Sequence, residues 1–445
     1  MYRDILKDLI HWKTKANRKP LLLTGVRQCG KTYIVEKFAR ENFRSFVYVN
    51  FESSDQIPGI FEYDFDVDRI LKELEFHYNT KIIPGETLVF FDEIQVCPRA
   101  ITSLKYFCEN RKELHLICAG SLLGVAVKRD RVSFPVGKVN RLRLYPMSFK
   151  EFVLANERED LIEVFKDWPT DRAIPDLYAT PMKKLLKEYF IVGGMPEAVK
   201  TWIRTHDINE VEEIQKEILS DYADDFSKHA PAGDVPKIRW IWDSVPVQLA
   251  KENNKFVFSH VKEGKRSVEL EDALQWLADS GLISRSELVE KPELPLPGFA
   301  DKTAFKVYMS DIGLLRMRSG VSAKTILEES EQYKRFKGAF AENYVLNELL
   351  TLGKEPYYWR SGNTAEVDFI FEDMEQIIPV EVKAADNTQA KSFRSYCKKY
   401  EPKVGFKISQ KNIAENVCEK TRMISLPLYL GWNMDHYIEK AGGQL

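Results

Sequence analysis

The segment "PLLLTGVRQCGKTYIVEKF", residues 20–38, joins a short apolar run to a glycine-containing loop and a helix-like pattern. The run PLLLTGV is typical of a buried strand, and KTYIVEKF has its apolar residues at helical spacing. The loop GVRQCGKT, residues 25–32, fits the pattern G-x-x-x-x-G-K-[ST] in the strand-to-helix context that this pattern requires. The sequence therefore predicts a loop that binds the phosphates of a nucleotide.

This loop pattern also predicts roles for single residues. The backbone amides of the loop and of the helix start would donate hydrogen bonds to phosphate oxygens. Lys31 would reach the β- and γ-phosphates, and the Thr32 hydroxyl would bind Mg²⁺. The predicted cofactors are ATP and Mg²⁺, and the predicted nucleotide-binding residues are Gly25, Val26, Arg27, Gln28, Cys29, Gly30, Lys31 and Thr32.

A second apolar run, "TLVFFDEI" at residues 87–94, predicts a buried strand that ends in two carboxylates. Asp92 would hold the hydrated Mg²⁺, and Glu93 would activate the attacking water. Ser121 ends the next predicted strand, where its hydroxyl would either sense the γ-phosphate or cap a helix. Both interpretations of Ser121 stay open.

A basic run follows this strand, "VKRDRVSFPVGKVNRLRLYP" at residues 127–146. One of its cations could act as an arginine finger on the ATP site, in the same chain or in a neighbouring subunit. A solvated basic loop is the alternative. The cations are Lys128, Arg129, Arg131, Lys138, Arg141 and Arg143.

The order of strand and helix patterns predicts an α/β multidomain chain. Residues 1–205 alternate strands and helices, which predicts a P-loop, AAA-like parallel sheet covered by helices, with a helical extension. Residues 206–325 have helical patterns followed by two strand-like runs around a proline-rich turn, which predicts a winged-helix domain. Residues 326–445 form a third, separate α/β pattern.

Charge and composition restrict the classes of function. The three predicted domains have net charges of +5, −5 and −2, so none is strongly basic, and the acidic middle favours protein packing over DNA binding. The longest mostly apolar run has 14 residues, too few to span a bilayer, so no membrane partner is expected. Six scattered cysteines without metal-type spacing indicate reduced thiols and a cytoplasmic protein.

The segment "TAEVDFIFEDMEQIIPVEVKAA", residues 364–385, contains two strand-like runs around an acidic turn. Because strand side chains alternate between faces, pairing these runs would bring Asp368, Glu381 and Lys383 onto one surface. Two carboxylates can hold Mg²⁺, and a lysine beside them can position a water for attack on a phosphodiester. An ordinary charged strand face is the alternative.

Two neighbouring helices contribute to this interpretation. Glu342 lies on the apolar stripe of the preceding helix, and burial there predicts a partner, either a bound metal ion or the Lys383 ammonium. In the following helix, Lys391, Arg394 and Lys398 form one basic stripe suited to a phosphate backbone. A solvated charged face explains the stripe equally simply.

Several motifs together resemble a family of prokaryotic AAA-type ATPases that have a P-loop ATP-binding N-terminal domain and a C-terminal domain of unknown function. These motifs are "RKPLLLTGVRQCGKT", "TLVFFDEIQ", "AGSLLG", "SFPVGKV", "LYPMSFKEF", "VGGMPEAV" and "PVQLAKENNKF". The resemblance implies an AAA-like core, a winged-helix middle and a restriction-endonuclease-like C-terminal domain. It also implies that residues 25–32, Asp92 and Glu93 bind nucleotide and Mg²⁺, and that Ser121 senses the γ-phosphate.

The expected function is a Mg²⁺-dependent ATPase that couples nucleotide state to a nuclease-like C-terminal domain. The order of the C-terminal elements is that of PD-(D/E)XK nucleases, so Asp368, Glu381 and Lys383 would cut or grip DNA, with Glu342 as a further metal ligand. The alternative is an ATP-driven switch whose C-terminal domain binds a protein or nucleic acid without cleavage. A third hypothesis is a regulator in which ATP controls DNA binding by the winged helix. The oligomeric state stays open.

Overall fold

The structure is a computed structural model that describes residues 1–53, 56–121, 134–251, 255–362, 365–383 and 391–442. The chain forms two compact units. The first comprises residues 1–145 and 279–282, and the second comprises residues 146–278 and 283–445. Within the described ranges, no helix is both long and apolar enough to cross a membrane.

The first unit contains a parallel sheet. Its strands are β1 Leu21–Thr24, β2 Ser45–Asn50, β3 Thr87–Asp92, β4 His115–Ala119 and β5 Asn140–Arg143. The strand order is β2-β3-β4-β1-β5, and each neighbouring pair is parallel. Every residue of β3 and β4 is buried, which explains why both strands are nearly continuous apolar runs in the sequence. The predicted P-loop α/β fold of this region is confirmed.

Helices connect these strands and cover the sheet. Their bounds are Ile5–Thr14, Lys31–Asn42, Gln56–Ile60, Val67–Tyr78 and Pro98–Asn110, with a 3₁₀ turn at Ile94–Val96. The longer helices lie where apolar residues recur at helical spacing. Ile70 and Leu74 of one helix and Ile101 and Leu104 of another pack into the same apolar core as Phe91 of β3.

The second unit begins with helices and contains a larger mixed sheet. Its helices are Phe149–Ala155, Glu159–Phe165, Asp176–Val192, Pro196–Thr205, Ile208–His229, Val235–Leu249, Ser267–Asp279, Ile312–Arg318, Ala323–Leu327, Glu331–Thr351, Lys391–Tyr400 and Met434–Gly442. Short 3₁₀ segments lie at Phe258–His260, Leu296–Gly298 and Leu428–Asn433. Between Phe149 and Asp279 the described residues form helices and no β-strand.

The sheet of the second unit has strands from two parts of the chain. They are β6 Ile283–Val289, β7 Ala300–Met309, β8 Tyr357–Ser361, β9 Ala365–Asp373, β10 Gln376–Lys383, β11 Val404–Ser409, β12 Ala414–Cys418 and β13 Thr421–Pro427. Their order is β12-β13-β11-β10-β9-β8-β6-β7.

The position of the β6–β7 hairpin differs from the sequence-based interpretation. These strands were expected to form the wing of a separate winged-helix domain. In the structure β6 pairs in parallel with β8, where Leu288 is opposite Tyr358, so the hairpin extends the C-terminal sheet. The winged-helix assignment is not confirmed. The pairing of β6 with β8 was not foreseen, because a pairing between strands about 70 residues apart leaves no local sequence signal. The domain limits at residues 205/206 and 325/326 stay predictions.

The C-terminal segment has a regular order of elements. Helix Glu331–Thr351 is followed by β8, β9 and β10, then by helix Lys391–Tyr400 and β11. The β8–β9 and β9–β10 pairs are antiparallel, whereas β11 is parallel to β10, with the second helix between them in sequence. The predicted element order is therefore present, but the restriction-endonuclease-like assignment itself is not confirmed.

The motif VGGMPEAV forms a buried junction within the second unit. Gly193 has a φ of +76°, and a Cβ there would lie 2.3 Å from Asp311 Oδ1. Asp311 accepts a hydrogen bond from the Gly194 amide at 2.6 Å and caps the following helix through the Leu314 amide at 2.8 Å. Glycine at position 193 thus lets the buried Asp311 carboxylate join two helices.

Candidate functional site

The phosphate loop connects β1 to helix Lys31–Asn42 and passes close to the residue that directly follows β5. Gly25 has a φ of +154°, and a Cβ at this position would lie only 2.2 Å from the Leu144 carbonyl oxygen. A side chain at position 25 would therefore collide with backbone rather than with a flexible group. This close approach explains the first glycine of the motif.

The base of the loop is supported by Arg3, which the sequence analysis did not single out. Its guanidinium donates hydrogen bonds to the Cys29 carbonyl at 3.0 Å and to the Tyr145 carbonyl at 2.5 Å. Cys29 is itself buried, with its Sγ 3.6 Å from the Leu144 carbonyl oxygen. Nothing in the local sequence distinguishes Arg3 from other N-terminal basic residues, since its partners are distant along the chain.

Lys31 and Thr32 begin the helix that follows the loop. The buried Lys31 ammonium donates to the Gly25 and Val26 carbonyls, each at 3.0 Å. The Thr32 hydroxyl donates to Asp92 Oδ2 at 2.7 Å. The loop and the end of β3 are therefore in direct contact, as the pairing of the two motifs predicts.

Asp92 is buried and has a second hydroxyl partner, which the sequence analysis missed. The Tyr48 hydroxyl, on the neighbouring strand β2, donates to the same Oδ2 atom at 3.0 Å. Burial raises the pKa of the Asp92 carboxyl, while the hydrogen bonds from Thr32 and Tyr48 oppose this shift. Burial and the Asp92 carboxylate together raise the pKa of Tyr48 to about 12.

The donor set at this point fits Mg²⁺. A hydroxyl oxygen and a carboxylate oxygen meet at the carboxyl end of a parallel sheet, and Mg²⁺ takes oxygen ligands with several waters. Glu93 follows directly, has a φ of +50° and is only partly exposed. Its Oε2 atom accepts a hydrogen bond from the Gln95 amide at 2.5 Å, which orients the carboxylate.

Only some of the predictions for Ser121 and the basic run fall on residues that the structure describes. Ser121 is buried just after β4, which lies between β1 and β3 in the sheet, so it shares the sheet edge of the loop and Asp92. Its two interpretations stay open, because residues 122–133 lie outside the described ranges. Lys128, Arg129 and Arg131 also lie outside them.

The remaining cations of the basic run already have partners. Lys138 forms an ion pair with Glu109 at 2.9 Å. The Arg141 guanidinium lies 4.7 Å from the ring centroid of Phe134, and that of Arg143 lies 5.3 Å from the ring centroid of Tyr145. An arginine finger therefore stays a prediction without a favoured residue.

The second unit brings the three predicted C-terminal residues together. The register of β9 and β10 aligns Phe369 with Val380, which places Asp368 beside the start of the Glu381–Lys383 segment. Asp368 Oδ2 accepts a hydrogen bond from the Val382 amide at 2.7 Å. The Lys383 ammonium lies 2.6 Å from Glu381 Oε1.

A lysine that the sequence analysis missed enters the same cluster from β7. Lys306 is 1% exposed, and its ammonium lies 2.7 Å from Glu366 Oε1 and 3.5 Å from Glu342 Oε2. The Tyr308 hydroxyl donates to Glu342 at 3.2 Å. The β6–β7 hairpin thus supplies two partners of Glu342 that were not expected, and the role of Glu342 as a metal ligand stays a prediction.

The electrostatics of this cluster are strongly perturbed. Burial raises the pKa of the Asp368 carboxyl well above its usual range, and the nearby Glu381 carboxylate adds to the shift. Burial also raises the pKa of Glu381, although Lys383 opposes it. Burial alone would lower the pKa of Lys383, but the Glu381 and Asp368 carboxylates outweigh it, so this pKa is raised.

The surroundings of Glu381 fit an additional cation in this cluster. Glu381 is only 2% exposed, yet its Oε2 atom has no hydrogen-bond partner in the part of the chain that the structure describes. A buried carboxylate oxygen without a partner is costly unless a cation or water binds it. Across the described ranges, however, no three His, Cys, Asp or Glu side chains are arranged to hold a metal together.

The basic stripe on helix Lys391–Tyr400 is exposed as predicted. Lys391, Arg394 and Lys398 all face solvent, and the Arg394 Nε lies 4.0 Å from a Glu419 carboxylate oxygen. The surface is thus accessible to a phosphate backbone, but a solvated face has the same appearance.

Comparison with protein families separates the chain into three matched regions. An AAA domain family matches residues 17–153. Two families described as domains of unknown function, DUF8612 and DUF4143, match residues 183–325 and 337–429. No curated protein matches the chain.

Similar solved structures share low sequence identity with this chain. The Walker-type ATPase PABY2304 of Pyrococcus abyssi shares 15% identity over 71% of this chain and 95% of that one, with a TM-score of 0.45. The Aeropyrum pernix ORC2 protein, in ADPNP-ADP complexes, shares 12% identity over 74% and 95%, with a TM-score of 0.38. The Aeropyrum pernix ORC1 protein in complex with DNA shares 14% over 75% and 92%, with a TM-score of 0.27.

Because these TM-scores are low, the structural likenesses carry no argument about activity. The family match and the loop geometry are independent of them. Residues 17–153, which match the AAA domain family, thus hold the phosphate loop, Asp92 and Glu93 in a parallel α/β fold.

Proposed function

We propose that this protein binds and hydrolyses ATP with Mg²⁺ in its first unit. The observation that carries the proposal is the 2.7 Å hydrogen bond between the Thr32 hydroxyl and Asp92, because it joins the phosphate loop to the acidic strand end. A chance glycine turn would have no reason to meet a buried carboxylate at this position. The AAA domain match over residues 17–153 supports the same proposal.

The chain's own groups have distinct roles in this proposal. The loop amides and Lys31 bind the β- and γ-phosphates, while Thr32 and Asp92 hold Mg²⁺, which neutralises charge on those phosphates. Glu93, held by Gln95, accepts the proton of the attacking water. Tyr48 orients the Asp92 carboxylate through a hydrogen bond of 3.0 Å.

The test is steady-state ATP hydrolysis together with nucleotide binding. Lys31→Ala should abolish both, because it removes the phosphate-binding ammonium. Glu93→Gln should bind ATP normally and lower turnover by about 10²–10⁴-fold, the usual contribution of a general base. Glu86→Gln is a matched control, since Glu86 precedes the other end of β3 and should leave turnover unchanged. Equal turnover in wild type and Glu93→Gln would contradict the assigned role.

We further propose that the second unit carries a nuclease-like site that acts on or binds DNA. Three observations support it: the convergence of Asp368, Glu381 and Lys383, the unpartnered Glu381 oxygen, and the helix–strand order of the C-terminal segment. Asp368 and Glu381 would hold one divalent cation, which would stabilise charge on a phosphodiester. Lys383, which is 31% exposed by its side chain, would position the attacking water.

The alternative is a switch whose second unit binds a protein or nucleic acid without cleaving it. The observation that favours it is the pairing of Glu342 and Glu366 with Lys306, because lysine then satisfies carboxylates that a metal would otherwise bind. In this alternative ATP still controls the conformation, and the exposed basic stripe contributes to recognition.

Cleavage of branched, single-stranded and double-stranded DNA separates the two alternatives. Wild type, Lys383→Ala and Lys31→Ala are compared with Mg²⁺ or Mn²⁺, with and without ATP. A nuclease coupled to the ATPase is supported if wild type cuts DNA, Lys383→Ala abolishes the cutting, and Lys31→Ala makes the cutting independent of ATP. ATP hydrolysis without any cutting favours the binding-only switch.

The cytoplasm is the proposed location of the protein. All six cysteines are buried and free of disulfides, as expected where thiols stay reduced. Fractionation of native cells with an antibody against the chain tests this location.

A further inference from the structure

The acidic cluster of the second unit is defined here as Glu342, Glu366, Asp368 and Glu381 with the two lysines Lys306 and Lys383. Helix Glu331–Thr351 and strands β7, β9 and β10 each contribute to it. The predicted site of the sequence analysis contained three of these carboxylates and one lysine. The fold adds Lys306 and Glu366 to these residues.

Basic side chains surround the acidic cluster. Besides Lys306 and Lys383, Lys407 is opposite Glu381 in the β10–β11 register, and Arg360 is opposite Glu366 in the β8–β9 register. A buried carboxylate oxygen without a partner is nonetheless costly, and a further cation would satisfy it. The Glu381 Oε2 atom, which has no hydrogen-bond partner among the described residues, marks the point where such a cation would bind.

Lys306 occupies the other side of the same cluster. Its ammonium is almost fully buried between Glu342 on the helix and Glu366 on β9, and it lies 5.2 Å from the ring centroid of Tyr358. A surface lysine could swing away, but this side chain is 1% exposed and enclosed by these groups. It therefore supplies a fixed positive charge where carboxylates from two elements converge.

We propose that Lys306 takes the place of one divalent cation, so that the acidic cluster binds a single divalent metal, at Asp368 and Glu381. The inference rests on the proposed nuclease-like site and states its metal stoichiometry. It also explains why three acidic side chains are not arranged to hold a metal in the described part of the chain, since Lys306 and Tyr308 engage Glu342. Lys306 is a positioning residue in this proposal, because it is too buried to contact a substrate.

Manganese binding to the full chain tests the proposal. Binding is measured without nucleotide by calorimetry and by electron paramagnetic resonance, in a parent that carries Asp92→Asn to remove the metal site of the first unit. The parent should bind one Mn²⁺, and Glu381→Gln should bind none. Lys306→Met should bind two Mn²⁺, because Glu342 and Glu366 lose the ammonium that lies between them.

Two further variants control for nonspecific effects. Lys306→Arg keeps the charge and should bind one Mn²⁺ like the parent. Lys306→Met combined with Glu342→Gln removes one charge of each sign and should also bind one. Thermal unfolding with and without millimolar Mn²⁺ covers the case in which Lys306→Met folds poorly, since the proposal requires Mn²⁺ to stabilise this variant more than the parent.

The outcomes separate the inference from the proposed site. One Mn²⁺ in both the parent and Lys306→Met, with equal affinity and equal thermal shifts, overturns the role of Lys306 but leaves the metal site intact. No bound Mn²⁺ in the parent overturns the metal site itself and the inference with it. A Lys306→Met chain that stays unfolded even with Mn²⁺ also overturns the inference.

Discussion

A matched pair of substitutions around Asp92 tests how the ATP site is built. The Thr32 and Tyr48 hydroxyls donate to the same Asp92 oxygen, at 2.7 and 3.0 Å. Thr32→Val and Tyr48→Phe each remove one of these hydrogen bonds with little change in shape. Tyr48→Phe also removes the acceptor of a 3.2 Å hydrogen bond from the Asn50 amide. Only Thr32 is assigned a contact with Mg²⁺, so the two substitutions should both lower stability but differ in turnover.

The expected magnitudes follow from these two contacts. A hydrogen bond to a charged group contributes about 1.5–3 kcal/mol, so each substitution should lower the free energy of unfolding of the nucleotide-free chain by about that amount. Each should also raise the pKa of Asp92 further, because both hydrogen bonds oppose the effect of burial. Thr32→Val additionally loses a Mg²⁺ ligand and should lower kcat by more than about tenfold, equivalent to about 1.4 kcal/mol.

Urea denaturation and ATPase assays over a range of Mg²⁺ concentrations measure both effects. Thr32→Val should need more Mg²⁺ for half-maximal activity, whereas Tyr48→Phe should keep the wild-type Mg²⁺ dependence. An equal loss of turnover in the two variants would contradict the metal-binding role of Thr32, since it would mean that orientation of Asp92 limits the reaction.

Three other predictions concern the loop and the buried junction. Gly25→Ala should reduce ATP affinity at least about tenfold in a fluorescent-nucleotide titration, because its Cβ would meet the Leu144 carbonyl; normal affinity would show that the loop can shift. Arg3→Met should lower the melting temperature and weaken ATP binding through loss of two carbonyl contacts. An unchanged melting temperature and unchanged ATP binding would show that Arg3 does not support the site. Burial raises the pKa of Asp311 from 3.8 to about 6, so the folded state binds its proton more tightly and stability falls as pH rises through this window. Wild type should lose about 3 kcal/mol relative to Asp311→Asn between about pH 4 and pH 6 in urea denaturation, and parallel curves would contradict the shift.

The nucleotide site was largely predictable because its signals are local. The loop GVRQCGKT binds through consecutive backbone amides and two adjacent side chains, so the pattern itself specifies the geometry. The strand that ends in Asp92 was recognisable from its apolar run, and parallel strands bring their carboxyl ends to one sheet edge. Tyr48 and Arg3 were not predictable, since each contacts the site from a separate part of the chain.

The P-loop, the order of the elements and the faces of β9 and β10 could be predicted from the sequence, because they depend on contacts between near neighbours and on the period of each element. The cation that meets the buried carboxylates depends instead on how distant parts of the chain pack. The β6–β7 hairpin joins the C-terminal sheet through β8 and thereby carries Lys306 to Glu366, a residue 60 positions later in the chain. Such a pairing depends on which sheet edge a hairpin covers, and a charged residue in the sequence has the same form whether it faces solvent or a buried carboxylate.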